Sequence, residues 1–230
     1  MTNWKNYLKK NQTRFINELC EFIRIPSVSA DPNHADDVLS AASWVAARLE
    51  CAGVENVSVM PTAGHPCVYG DWQHADENQP TILIYGHFDV QPADPVDLWT
   101  TPPFDPHIRD RKIFGRGASD DKGGMLIPIL AFEALMKAKS RLPINVKFIF
   151  EGQEEIGSPD MPDFVAQNRT LLAADMIFSS DGLQWTADEP NIVVGLKGLS
   201  SMEIKVTGAK ADLHSGLHGG AVANPLLALS

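Results

Sequence analysis

Hydrophobic residues near the beginning of the chain recur at the spacing of one face of an α-helix. The residues on this face are Tyr7, Phe15, Leu19, Phe22 and Ile23. Pro26 marks the expected end of this helix. A second stretch of similar spacing, AASWVAARLECAG, reaches Gly53, and glycine often follows the last turn of a helix. The pattern therefore predicts two amphipathic helices at the start of the chain.

Short apolar runs with the length of β-strands come next, and helical stretches separate several of them. The predicted strands are 56–60, 67–72, 81–87, 146–150, 175–181 and 191–198. The predicted helices between them occupy about 123–139 and 161–173. Alternating strands and helices are typical of an α/β domain, here a central, mostly parallel (mixed) sheet flanked by helices. Ligand sites of such sheets lie at the carboxyl ends of the strands.

The hydrophobic pattern changes after Gly198. Met202, Ile204 and Val206 alternate with polar residues, as in a sheet with one face in water. We predict a domain boundary near Gly198, with one domain over 1–198 and the beginning of a second over 199–230. The second part is too short for an independent core, so we expect the chain to be an N-terminal fragment of a longer protein.

Composition and charge narrow the function classes. The chain has 230 residues, of which 44% are hydrophobic, and this is enough to form a core. Its formal net charge of -10 argues against nucleic acid or an anionic membrane as a partner. We find no leader segment and no apolar run of membrane-spanning length, which predicts a cytoplasmic protein. The three cysteines lack CxxC spacing and are expected to be reduced thiols.

Histidine and acidic residues follow three of the predicted strands. A fourth group lies on a glycine-rich turn at the start of a predicted helix. In chain order the residues are His87, Asp89, Asp120, Asp121, Glu154, Glu155 and Asp181. Each could be structural on its own, as a hydrogen-bonded histidine, a helix cap, a surface pair or a turn residue. Together, and without a comparable set of Lys or Arg, they predict a divalent metal such as zinc, manganese or cobalt.

Five motifs resemble those of the co-catalytic two-metal aminopeptidase-like hydrolases. The motifs are GHFDVQP, LWTTPPF, GRGASDDKGG, EGQEEIGS and SSDG. This family includes carnosinases, cytosolic dipeptidases, aminoacylases and succinyl-diaminopimelate desuccinylases, and LWTTPPF and DLHSG are similar to its dipeptidase branch. The resemblance implies a phosphorylase/hydrolase-like aminopeptidase fold, followed by an α+β lid domain through which two copies form a homodimer.

The resemblance also implies roles for individual residues. His87 and Asp181 would bind one metal ion, Glu155 would bind a second, and Asp120 would bridge the two. Glu154 would be the general base. Zinc is the expected metal, with manganese or cobalt as alternatives.

Three further features are implied by the same resemblance. Asp89 would hold the His87 imidazole in the tautomer needed for metal binding. The Asp120-Asp121 peptide would be cis. His214 would reach the active site of the dimer partner and stabilise the oxyanion, the alternative being an ordinary loop histidine.

The implied activity is metal-dependent hydrolysis of a peptide bond in dipeptides or short peptides. One alternative is an amidohydrolase for N-acyl amino acids or succinyl amines with the same metal centre, and another is a non-catalytic metal-binding or dimerisation fragment. The family's final histidine ligand and its carboxylate-binding lid residues have no match in the chain, so we expect the fragment alone to be inactive or nearly so. Glu151 is expected to be a supporting hydrogen-bond acceptor or else a solvated surface carboxylate.

Overall fold

The computed structural model describes residues 3–76, 78–139, 141–182, 184–186, 189, 191–195 and 197–230. The chain forms two compact units, Met1–Gln184 and Trp185–Ser230. The domain boundary near Gly198 stays a prediction. No helix in the described part of the chain combines the length and the apolar character that crossing a membrane requires.

The first unit contains five α-helices and seven β-strands among its described residues. The helices are α1 (Trp4–Ile23), α2 (Ala35–Ala52), α3 (Lys122–Lys139), α4 (Met161–Gln167) and α5 (Arg169–Leu172). The strands are β1 (Glu55–Met60), β2 (Cys67–Trp72), β3 (Thr81–His87), β4 (His107–Arg109), β5 (Lys112–Phe114), β6 (Asn145–Glu151) and β7 (Met176–Ser179). Short 3-10 turns cover Pro32–His34, Val96–Leu98 and Glu154–Ile156.

The start of α1 and the end of α2 have residues suited to helix termini. Asn3 caps α1 by accepting a hydrogen bond from the Lys5 backbone N–H at 2.9 Å. Helix α2 ends at Gly53, whose φ of 94° lies in the left-handed region that glycine tolerates. Both helices predicted from the sequence are therefore confirmed, and α1 ends before Pro26.

Five strands form the central sheet in the order β1-β2-β6-β3-β7. Strands β6, β3 and β7 are parallel, whereas β2 is antiparallel to both of its neighbours. The predicted mixed, mostly parallel sheet is thus confirmed. In this register His87 of β3 lies beside Glu151 of β6, so the carboxyl ends of these two strands are level.

Helices cover both faces of this sheet. On one face, residues of α1, α2 and α3 pack against the strands, with Phe22, Leu49, Met125 and Phe148 fully buried. On the other face, α4 and α5 cover a smaller apolar cluster of which Phe164 is a member. Burial on both faces explains why β6 is apolar at consecutive positions from Phe148 to Phe150 rather than at alternating ones.

Two local features differ from the sequence predictions. The helix predicted over 161–173 is divided into α4 and α5 at Asn168, whose side chain donates to the Phe164 carbonyl at 2.8 Å and competes with continued helix. The β4-β5 hairpin was not predicted. Its turn residues Asp110 and Arg111 have left-handed φ angles of 49° and 61°, a geometry usually signalled by Asn-Gly.

The described residues of the second unit form two short helices, α6 (Ser215–His218) and α7 (Pro225–Leu229). The strand predicted over 191–198 and the alternating stretch over 202–206 form no strand among the described residues of this unit. A strand requires a hydrogen-bonded neighbour, and Met202, for example, is instead 83% exposed.

Candidate metal centre

His87, Asp120 and Asp181 converge at the carboxyl edge of the central sheet. His87 ends β3, Asp181 lies just after β7, and Asp120 lies in the turn before α3. The His87 Nε2 atom is 3.1 Å from Asp120 Oδ1 and 3.7 Å from Asp181 Oδ2. One potential ligand atom from each residue lies within 4.8 Å of the other two. These three residues could therefore hold a metal ion, as the parallel strands predicted.

Glu154 lies beside this group, in the turn that follows β6. Its Oε2 atom is 3.9 Å from His87 Nε2, and its side chain is 39% exposed. Partial burial raises the pKa of Glu154, the charge on His87 opposes this shift, and the nearby Glu155 and Asp181 add to it. A carboxylate with a raised pKa and access to water is suited to accepting a proton.

The imidazole of His87 contacts Asp89 through its Nδ1 atom. His87 is fully buried, and its Nδ1 atom lies 3.1 Å from the Asp89 carbonyl oxygen and 3.3 Å from Asp89 Oδ1. Burial alone would lower the pKa of His87, but hydrogen bonding and charge from Asp89 raise it to about 10. An Nδ1–H that donates to Asp89 leaves Nε2 directed at Asp120 and Asp181, as in many metal-binding histidines.

The carboxylate of Asp89 also holds the beginning of the turn after β6. It accepts hydrogen bonds from the backbone N–H groups of Glu154 and Glu155, each at 3.1 Å, and from the Ser29 hydroxyl at 2.6 Å. Asp89 thus contacts both the imidazole of His87 and the segment that carries the two glutamates. The family resemblance implied only the first contact, and no short-range pattern indicates the second.

Asp121 is a buried residue of the site that the sequence predicted only as one member of the acidic group. The Asp120-Asp121 peptide is cis, as the resemblance implied. Asp121 Oδ2 accepts a hydrogen bond from the His87 backbone N–H at 3.2 Å, and burial raises the pKa of Asp121 to about 7. A Cβ atom at Gly124 would collide with Asp121 Oδ1, and one at Gly86 would lie 2.7 Å from Oδ2. The two glycines provide the space for this carboxyl group.

Glu155 does not belong to the compact group of ligand atoms found among the described residues. Its carboxylate accepts hydrogen bonds from the backbone N–H of Gln91 at 3.2 Å and from Gln91 Nε2 at 2.9 Å. Gln91 Nε2 also donates to the Glu155 carbonyl at 3.0 Å. The structure therefore brings together three of the four predicted metal ligands and places the fourth against Gln91, a residue that the sequence analysis missed.

The two remaining candidates lie in different surroundings. His214 belongs to the second unit, where it is exposed and caps α6 by accepting a hydrogen bond from the Gly216 backbone N–H at 3.1 Å. Glu151 is fully buried and accepts hydrogen bonds from Tyr85 and Ser158. The alternative of a solvated surface carboxylate at Glu151 is therefore wrong, and the role of His214 stays a prediction.

Comparison with known proteins relates this arrangement to a peptidase family. Residues 83–222 match the family described as Peptidase family M20/M25/M40. The Cys-Gly metallodipeptidase dug1 of Schizosaccharomyces pombe is 35% identical over 231 residues, covering 95% of this chain and 48% of the relative. The Beta-Ala-His dipeptidase of Homo sapiens is 33% identical over 233 residues, covering 96% of this chain and 46% of the relative.

The solved structure of human carnosine dipeptidase 1 has the same fold. It superposes with a TM-score of 0.75 at 28% identity, covering 97% of this chain and 49% of the solved chain. The chain spans about half the length of the curated relatives it matches. The matched segment includes His87, Asp120, Glu154 and Asp181 and more than half of all residues. The chain accordingly belongs to the peptidase family M20/M25/M40.

Proposed function

We propose that the protein hydrolyses the peptide bond of dipeptides or other short peptides with the help of bound divalent metal. The observation that carries this proposal is the group formed by His87, Asp120 and Asp181, with Glu154 3.9 Å from the same imidazole nitrogen. The two curated relatives are named for dipeptides, Cys-Gly in one case and Beta-Ala-His in the other. These names support a dipeptide substrate here and favour it over N-acyl or succinyl amines.

The donor atoms of the group fit a divalent transition metal. One imidazole nitrogen and two carboxylate oxygens face one another, and no Lys or Arg of the described residues forms an ion pair with them. Partial burial and the neighbouring Asp120 raise the pKa of Asp181, and His87 opposes that rise. A divalent cation would relieve the repulsion among these carboxylates, and nitrogen with oxygen ligands suits zinc, manganese or cobalt.

The proposed metal ligands follow the family pattern. His87 and Asp181 would hold one ion, Asp120 would bridge to a second, and Glu155 would bind the second ion. Glu155 would then exchange at least part of its present contact with Gln91 for the metal. We propose zinc as the metal, with manganese or cobalt as alternatives.

Metal bound at this site would polarise the scissile carbonyl and lower the pKa of a water molecule. In the proposed reaction, a Glu154 carboxylate oxygen takes the proton of the attacking water and then delivers it to the departing amine nitrogen. Asp89 keeps the proton of His87 on Nδ1. In the proposed homodimer, His214 of one copy donates a hydrogen bond to the oxyanion formed in the other.

Hydrolysis of Cys-Gly and of Beta-Ala-His provides the test. The complete gene product that contains these residues and the 230-residue chain alone would be assayed after metal removal and after addition of zinc, manganese or cobalt. We expect metal-dependent turnover of the complete product, a reduction of at least 100-fold in Glu154→Gln at unchanged metal content, and little turnover by the chain alone. Stoichiometric metal without turnover by the complete product would contradict the proposal and favour the non-catalytic alternative.

A further inference from the structure

The buried carboxyl group of Glu151 takes no part in the proposed reaction. Glu151 is the last residue of β6, and its partner in the sheet register is His87. A buried carboxyl group is costly unless its oxygens are paired. No Lys or Arg in the described ranges forms an ion pair with Glu151: its Oε1 atom is paired by neutral donors, and its buried Oε2 atom has no hydrogen-bond partner among the described residues. This arrangement raises the question of what the carboxyl group holds in place.

Two hydroxyl groups donate to the same oxygen of Glu151. Tyr85, which lies two residues before His87 on β3, donates to Glu151 Oε1 at 2.7 Å. Ser158 Oγ donates to the same atom at 2.9 Å. Glu151 therefore connects the strand that ends in His87 with the far end of the turn that carries the two adjacent glutamates.

The backbone of Ser158 has a conformation that most residues avoid. Its φ is 50°, and it follows Gly157 with a φ of 87°. In the left-handed region the Cβ atom of a non-glycine residue crowds the backbone, so other contacts must hold Ser158 there. These contacts are the hydroxyl bond to Glu151 and a backbone bond from the Ser158 N–H to the Gln153 carbonyl at 2.9 Å.

The opposite end of the turn is held by Asp89, which accepts hydrogen bonds from the N–H groups of Glu154 and Glu155. Buried carboxylates thus fix both ends of one short turn. We propose that Glu151 is a positioning residue: by holding Ser158 it fixes the direction in which Glu154 and Glu155 leave the turn. The inference rests on the proposed roles of those two glutamates.

Amide hydrogen exchange of residues 153–158, measured by mass spectrometry on the metal-free 230-residue chain, reports the turn itself. Glu151→Ala and Ser158→Ala should increase exchange there by roughly fivefold to tenfold, the effect of losing one buried hydrogen bond. Visible absorption of bound cobalt(II) in the same variants reports the metal ligands, and we expect altered bands. Glu151→Gln retains an acceptor oxygen for both hydroxyls and should resemble the unchanged protein in both measurements.

Asp71→Ala is the matched control. Asp71 is also a buried carboxylate of the central sheet, and it accepts a hydrogen bond from the Tyr69 hydroxyl at 2.7 Å. Its neighbour on β6 is Lys147, whereas the neighbour of Glu151 on β3 is His87. This variant should lose stability while the exchange of 153–158 and the cobalt spectrum stay unchanged.

Three results would overturn the inference: unchanged exchange at 153–158 in both alanine variants, faster exchange with an unchanged cobalt spectrum, or Glu151→Gln behaving like Glu151→Ala. The exchange measurement requires neither metal nor substrate. If the protein proved not to hydrolyse dipeptides, the exchange result would therefore still hold. If Glu151 proved not to position the turn, the hydrolysis test would be unaffected.

Discussion

Asp89 offers the sharpest single perturbation of the site, because one buried carboxylate contacts four separate groups, the His87 imidazole among them. Its Oδ1 accepts the Glu154 N–H, and its Oδ2 accepts the Glu155 N–H and the Ser29 hydroxyl. In Asp89→Asn, either orientation of the amide turns an NH₂ group toward one of the two backbone N–H donors. At least one hydrogen bond to a charged acceptor is lost, which corresponds to about 1.5–3 kcal/mol of stability.

The same substitution should weaken metal binding. The substitution leaves the 3.1 Å contact between His87 Nδ1 and the Asp89 backbone carbonyl, but it replaces the charged acceptor at 3.3 Å by a neutral amide, so the imidazole is held less firmly and becomes less basic. Replacing a residue that hydrogen-bonds to a metal-bound histidine typically lowers the metal affinity by roughly 10–100-fold. We therefore expect a combined defect, lower stability in the absence of metal and lower zinc affinity.

Urea unfolding in a chelating buffer and zinc competition against a chromophoric chelator measure the two effects separately. Asp71→Asn is the control, since Asp71 accepts hydrogen bonds from Tyr69, Asn56 and Gln73 but does not contact the candidate ligands. The control should lose stability and keep its zinc affinity. Zinc affinity within twofold of the unchanged protein in Asp89→Asn would refute the role given to Asp89.

Further predictions concern the helices and the glycine at the site. Glu133 is buried among α1, α2 and α3 and pairs with two arginines, so Glu133→Ala should lower the free energy of unfolding in urea by about 3–5 kcal/mol. Asp76→Ala, which removes an exposed pair, should lower it by less than about 1 kcal/mol. Burial alone would raise the pKa of Glu133, but hydrogen bonds from Tyr7 and the arginines lower it. The ionised Glu133 therefore stabilises the folded protein above the pKa it has in the unfolded chain, and this stabilisation is lost as the pH falls through its folded-state pKa. The stability difference between Glu133→Gln and the unchanged protein should therefore narrow in acid unfolding curves, and a constant difference would contradict this assignment. Gly124→Ala should displace Asp121 and reduce zinc affinity at least tenfold in the competition assay, and an unchanged affinity would show that the close approach is unimportant.

The central strands could be predicted from the sequence because their apolar runs have clear ends. The predicted bounds 67–72 and 81–87 agree with β2 and β3, and the convergence of His87 with Asp120 and Asp181 follows from placing strand ends at one edge of a sheet. The ligand and catalytic roles of these residues stay predictions.

Other features depend on contacts that no local pattern contains. The hydrogen bond from Gln91 to Glu155 depends on how two turns fold against each other, and the bond from Ser158 to Glu151 depends on the path of the turn after β6. The β4-β5 hairpin has Asp110-Arg111 in place of the usual turn residues. The hydrophobic pattern after residue 190 predicted β-strands. A β-strand requires a second strand to hydrogen-bond with, and the described residues there form none.

Calorimetric titration of the metal-free chain with zinc tests the claim that His87, Asp120 and Asp181 form a metal site. We predict one zinc ion bound more tightly than any other, with the affinity reduced at least 100-fold in both His87→Ala and Asp181→Ala, because each replacement removes a ligand. Zinc binding of unchanged affinity in both variants, or no zinc binding by the chain, would contradict the claim.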